Sequence, residues 1–201
     1  ALIRYGLKAP EFRVTGPAQA AAAAQQIGFP VALKLISDEI SHKAKMGGVR
    51  LALDSVAAVD AAVGEIAAAA RRHNGAEISS FLVESMVADP RAEYIIGVKR
   101  QAAMGLALMI GRGGVEVEQL NRHATVLLPL VSSDLARALA AIGLTEASLG
   151  YRQLLDAVHA VAAYALDHVT RLRSLDVNPV IVTAAGAAIA ADAFIVLSEE
   201  N

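Results

Sequence analysis

The sequence predicts an α+β fold, and three features carry that prediction. Apolar segments with strand character come mostly in neighbouring pairs: 31–36 with 49–53, 93–99 with 105–110, and the two arms of 174–197. Helical patterns interrupt them irregularly, at 17–27 and 54–73 and then twice in succession at 132–142 and 154–171. No strand–helix–strand unit recurs, so a regular parallel wind is not expected, and no internal repeat is visible.

With 201 residues the chain can bury a sizeable core as one large domain or two small lobes. It contains no cysteine, which excludes disulfides and thiolate metal sites. The net charge of −2 and the 4% aromatic content argue against a nucleic-acid binder. Hydrophobic residues make up 55%, much of it alanine in helical runs, and no uncharged apolar stretch is long enough to span a membrane. The N-terminus lacks the core and cleavage site of a signal peptide, so a cytoplasmic protein is expected. Residue 1 is alanine and the chain opens within an apolar segment, which suggests a fragment of a longer protein.

Ala1 to Tyr5 reads as the tail of a helix stopped by Gly6. The next helix starts at Pro17, which suits a first turn, and stops at Gly28-Phe29-Pro30. Val31 to Ile36 (VALKLI) is a buried strand with one charge, Lys34, which needs a partner there and either snorkels to the sheet edge or meets a ligand. A polar loop, Ser37 to Lys45, leads through Gly47-Gly48 to the strand Val49 to Leu53. Asp54 or Ser55 caps a helix that runs to about His73 and ends at Asn74-Gly75.

Ile78 to Val87 contains the strand FLVESMV, interrupted by Glu84. Glu93 to Lys99 and Gly105 to Ile110 are the next two strands, and the Gly111-Arg112-Gly113-Gly114 turn follows at once. Glu116 and Glu118 alternate with valines and share a face. Ser132 or Ser133 opens a helix to Ile142, Gly143 to Arg152 is a loop, and Leu154 to Arg171 is amphipathic with apolar residues at 154, 158, 161, 165 and 169.

The final hairpin, SLDVNPVIV then IAADAFIVL, carries polar residues where a plain buried hairpin has none: Asp176, Asn178 and Asp192. If its loop is Thr183 to Ala187, Val182 pairs with Ala188 and Asn178 lies opposite Asp192, with β-carbons roughly 5 Å apart. A loop one residue longer or shorter puts them on opposite faces. A carboxylate and an amide oxygen converging on one point suit a hard cation such as Mg²⁺; otherwise these residues cap turns or face water. Asp176 reads as an outer or turn residue.

None of the five histidines forms a close metal-binding pair. His42 stands out because it lies beside Ser41 and Lys43 near glycines, where an imidazole could attack phosphorus while a cation holds the phosphate. Gly47-Gly48 could aim backbone amides at phosphate, or could simply turn the chain. A strand lysine, two glycine turns, a strand glutamate and a carboxylate–amide pair together form a set that a nucleoside triphosphate would need.

In order along the chain, IGFPVALKLIS, ISHKAKMGGVRLAL, FLVESMV, AEYIIGVKR, MIGRGGVEVE, LGYR and LDVNPVIV…AADAFIVL resemble the ATP-grasp domain of the ADP-forming acyl-CoA synthetases, the module also called their β subunit. The resemblance spans almost the whole chain. It implies an ATP-grasp fold of two α+β lobes, 1–85 and 86–201, with the nucleotide cleft between them. Lys34 would contact phosphates with the Gly47-Gly48 and Gly113-Gly114 backbones nearby. Glu84 and Met86 would lie at the adenine hinge, Glu93 near the ribose, and Asn178 and Asp192 would hold Mg²⁺. His42 matches a histidine proposed to carry phosphate as phosphohistidine.

The implied partners are CoA-binding and ligase domains or an α subunit, a small acyl substrate and CoA, within an oligomer and without nucleic acid or membrane. The alternative is a regulatory nucleotide-binding module fused to a protein acetyltransferase. The chain departs from the family pattern at Val126 and Phe194, where the family carries basic residues.

Overall fold

The structure, a computed structural model, describes residues 1–36, 46–75, 77–114 and 123–198. The expectations for His42, Glu116 and Glu118 therefore fall outside the described residues. The fold is α+β and divides into two compact units, Pro10–Met86 and Ala1–Ala9 with Val87–Asn201. This division differs from 1–85 and 86–201 chiefly in the first nine residues. They group with the second unit because Leu2 and Leu7 are buried in its core and the Lys8 carbonyl accepts from the Ala190 N–H at 2.8 Å. Tyr5 packs edge-on against Tyr164, with ring centroids 5.4 Å apart, and its hydroxyl donates to Asp167 Oδ2 at 2.9 Å.

In the unit of residues 10–86, β1 (Phe12–Thr15), β2 (Val31–Ile36), β3 (Val49–Leu53) and β4 (Ser80–Ser85) form an antiparallel sheet in the order β1-β4-β2-β3. Helices α1 (Ala20–Ile27) and α2 (Val56–Asn74) contribute to one core. Strand alternation sends Val31, Leu33, Leu35, Phe81 and Val83 into it against Ala20, Ala24, Val59 and Ile66. The alternate residues Ala32, Lys34, Leu82 and Glu84 point to the other face. A 3₁₀ turn at Pro17–Gln19 leads into α1, so proline opens the segment but not the α-helix itself. Ser55 caps α2 by accepting from the Ala58 N–H, and Gly75 closes it in the left-handed region.

In the second unit, β5 (Pro90–Gln101), β6 (Gly105–Arg112), β7 (His123–Leu127), β8 (Leu172–Thr183), β9 (Ala188–Ala190) and β10 (Ala193–Leu197) form an antiparallel sheet. The order is β10-β8-β5-β6-β7, with β9 also paired to β8. Helices α3 (Ser132–Ala141) and α4 (Tyr151–Asp167) bury Leu135, Leu139, Leu154, Val158, Val161 and Ala165 in a core shared with Ile96, Leu108, Ile110, Val177 and Val180. The expected helix 154–171 thus begins and ends earlier. Val169, which the helical pattern counted as core, lies beyond the helix and is exposed. Among the described residues, no helix is long and apolar enough to cross a membrane.

Gly150 sets where α4 begins. Its φ of +71° is left-handed, and a β-carbon there would lie 2.5 Å from Val182 Cγ1 and 3.1 Å from the Gly186 carbonyl oxygen. The helix start is therefore packed directly on the hairpin that carries Asn178 and Asp192. Gly150→Ala is expected to destabilise the protein by about 2–4 kcal/mol through overlap and backbone strain. Gly64→Ala, in mid-α2 with open space around it, is expected to stabilise it by about 0.5–1 kcal/mol. Urea unfolding of the two variants beside wild type checks both signs.

Candidate functional site

Two groups of candidate residues are described, one in each unit. In the first, Lys34 on β2 stands across from Leu82, and Glu84 on β4 stands across from Ala32. The two are diagonal neighbours on the face away from the helices. Glu84 Oε1 and Lys34 Nζ form an ion pair, with side chains only 9% (Lys34) and 6% (Glu84) exposed. β2 has a neighbour on each side, so Lys34 does not reach a sheet edge. Glu84 supplies the partner that a buried lysine needs. Met86 follows at the end of β4 and is half-buried, and its N–H donates to the Pro30 carbonyl at 3.2 Å.

Gly47 and Gly48 turn the chain into β3. Gly47 has a φ of +79°, and its carbonyl accepts from Arg50 Nη1 at 2.9 Å. The Gly48 carbonyl accepts from the Leu35 N–H at 2.9 Å. Arg50 also reaches Glu65 Oε2 at 2.9 Å, so the guanidinium ties the turn to α2. The glycine at 47 is thus explained by the turn.

Gly111 and Arg112, expected in a turn, end β6 instead, and Gly113 packs on Glu93. The Gly113 N–H donates to the Glu93 carbonyl at 2.6 Å, and a β-carbon on Gly113 would come within 3.1 Å of the Glu93 main chain. Close approach to β5 accounts for this glycine as well. Glu93 lies on the face away from the helices, because its neighbour Tyr94 faces the core.

The hairpin adopts the register expected from its loop. Val182 pairs with Ala188, and the Thr183 N–H donates to the Ala187 carbonyl at 2.9 Å. Further along, Val180 pairs with Ala190 and Val177 with Ala193, and these pairs bracket Asn178 and Asp192. The Asn178 N–H donates to the Asp192 carbonyl at 3.1 Å. Opposite β5 the register slips by one residue, since Tyr94 pairs with Val180 but Ile96 with Val177. The extra residue in β8 shifts its phase: Leu175, Val177, Val180 and Val182 are buried, while Asp176 and Asn178 are exposed.

Asp176, expected as an outer or turn residue, is exposed on the same face as this pair. It stands across from Phe194 and Gly97, and the Asp192 charge reaches it. Partial burial, followed by Asp192, raises the Asp176 carboxyl above its ordinary value. Two carboxylates and an amide on one face form an all-oxygen donor set that fits a hard divalent cation. Among the described residues, no group of three His, Cys, Asp or Glu side chains is placed to hold a metal ion. Lys99 is exposed on the same face of β5 and pairs with Ser174.

The two departures from the basic pattern differ. Val126 pairs with Leu108 and is buried in the core, so a base at that position would not point to the face of Asp176. Phe194, 53% exposed, lies directly across from Asp176 on that face. Only Phe194 changes the charge beside the oxygen set.

Asp176 gives a pH prediction. Its folded pKa is raised, so it adds stability when protonated and loses that contribution as the pH rises from the ordinary carboxylate range through its raised value. Asp176→Asn should therefore melt higher than wild type at pH 7 in the presence of a chelator. The difference should vanish near pH 3, which melting curves at the two pH values check.

The chain matches the ATP-grasp domain family over residues 1–197. It is 32% identical to the ADP-forming 4-hydroxybutyrate–CoA ligase of Nitrosopumilus maritimus over 90% of this chain and 27% of that protein. It is 31% identical to the β subunit of the ADP-forming acetate–CoA ligase II of Pyrococcus furiosus, over 96% of this chain and 86% of the subunit. It thus spans about a quarter of the first relative and most of the second. Among solved structures it resembles the dinucleotide-forming acetyl-coenzyme A synthetase 1 of Ca. Korarchaeum cryptofilum in complex with coenzyme A and Ca-AMPCP. The TM-score is 0.86 and the identity 28%, over 98% of this chain and 88% of that one. The same enzyme with coenzyme A and Mg-AMPPCP matches at a TM-score of 0.76 and 26% identity, over 98% and 88% of the two chains. The chain therefore belongs to the ATP-grasp domain family, in the form found as the β subunit of ADP-forming acyl-CoA synthetases.

Proposed function

We propose that this chain is the nucleotide-binding part of an ADP-forming acyl-CoA ligase, which interconverts acid, ATP and CoA with acyl-CoA, ADP and phosphate. The observation that carries the reading is the oxygen set on one face of the final hairpin, Asn178 opposite Asp192 with Asp176 beside them. Asn178 and Asp192 would hold Mg²⁺, which when bound neutralises phosphate charge. Lys34 would contact phosphate oxygens, supported by the Gly47-Gly48 and Gly113-Gly114 backbones. Met86, at the end of β4, would border the base, and Glu93 the ribose. His42 would accept the phosphoryl group at an imidazole nitrogen and pass it on.

The relatives' names support a ligase over a regulatory module fused to an acetyltransferase. Because the chain spans only about a quarter of the Nitrosopumilus relative, we assign CoA and the acyl group to further domains or a partner subunit. The Korarchaeum structures hold nucleotide analogues with Ca²⁺ or Mg²⁺, which supports the choice of ligand.

Calorimetry of the full-length protein tests the reading. Mg·ATP and Mg·ADP should both bind, and Asp192→Ala should weaken them at least about tenfold; no heat with wild type at millimolar nucleotide contradicts it. For His42, incubation with labelled ATP should give acid-labile label in wild type and none in His42→Ala, whereas equal labelling removes His42 from the relay.

A further inference from the structure

The Lys34–Glu84 pair carries an inference about how the lysine is held, and it rests on the reading above that Lys34 meets phosphate. The resemblance assigns Glu84 to the adenine hinge, yet its carboxylate lies on the Lys34 ammonium. Both residues sit on the inner strands of the sheet, β2 and β4, on the face that does not enter the helix-packed core. With both side chains nine-tenths buried, the desolvation of two charges offsets much of their attraction. Such a pair is therefore weak as a source of stability. What it provides is geometry: a long, flexible side chain is held in one place across β4, with its rotamer freedom already given up.

We propose that Glu84 is a positioning residue for Lys34, so that its effect on nucleotide binding runs through the phosphate chain and not through the base. Removing the carboxylate would take this contact from the ammonium, and phosphate binding would have to make up for the loss in ordering. Adenosine, which has no phosphate, would not register the change.

A double-mutant cycle in the full-length protein tests this, with Mg·ATP and adenosine as the two titrants. Glu84→Gln is expected to weaken Mg·ATP about tenfold and leave adenosine unchanged. Lys34→Met is expected to behave the same way, and the double variant to be no worse than the weaker single. If Glu84→Gln weakens adenosine and Mg·ATP alike, and its loss adds to that of Lys34→Met, Glu84 contacts the base directly and the proposal is overturned. Wild type that binds neither titrant overturns the nucleotide reading itself, and this proposal with it.

Glu84→Gln leaves a buried cation and could fail to fold. Glu84→Asp keeps the charge on a shorter arm, and Lys34→Met/Glu84→Gln removes both charges. The first is expected to lose Mg·ATP affinity while retaining adenosine, and the second to match Lys34→Met for both ligands. Adenosine loss in either contradicts the proposal.

Discussion

The register of the final hairpin is the constraint on which the second unit depends. A five-residue connection, Thr183 to Ala187, sets Val182 across from Ala188, and every pair down to Ser174 and Val196 keeps that alignment. A slip of one residue on β9 and β10 would turn Ala188, Ala190 and Ile195 out of the core and carry Asp192 into it. The same alignment therefore buries the apolar face and exposes the oxygen set. The extra residue that β8 carries relative to β5 adds a second control, because it returns Val180 and Val182 to the core after two outward residues. Gly150, pressed against Val182 and the Gly186 carbonyl, fixes the start of α4 on this hairpin.

In the first unit the comparable constraint is the alternation of β2 and β4. It sends Val31, Leu33 and Leu35 towards α1 and α2, and Lys34 to the opposite face, where Glu84 arrives diagonally. Polar groups so deeply buried need partners, and the pair satisfies that need within two adjacent strands. The glycine turns serve packing first. Gly47 takes a left-handed φ that favours glycine, and a β-carbon on Gly113 would crowd the Glu93 main chain, whether or not a ligand approaches.

Much of this could be read from residues that obey a local rule. Val31 to Ile36, Val49 to Leu53 and the capped helix after Ser55 lie where apolar runs and cap chemistry place them. Asn178 faces Asp192 because turn length dictates register. What escaped the sequence depends on tertiary partners. Phe12 to Thr15 carries mainly exposed side chains, yet it pairs along β4 as an edge strand. His123 to Leu127 is short and mixed, and only its pairing with β6 makes it a strand. Ala1 to Tyr5 reads as a helix end stopped by Gly6, and Leu2–Tyr5 is a 3₁₀ helix, but only tertiary packing shows which core it joins. The burial of Val126 also could not be seen, because the face of β7 was unknown without its neighbour. Asp176 reads as an outer or turn residue, and the charge it feels from Asp192 comes from the cross-strand geometry.

The central claim is that the hairpin oxygens form one cation site, and the most direct measurement is anomalous diffraction. Crystals of the full-length protein grown with Mn²⁺ and a non-hydrolysable ATP analogue should show a manganese peak within coordination distance of the Asn178 and Asp192 side-chain oxygens. A bound analogue whose manganese lies elsewhere, with those two side chains uncoordinated, would contradict the account.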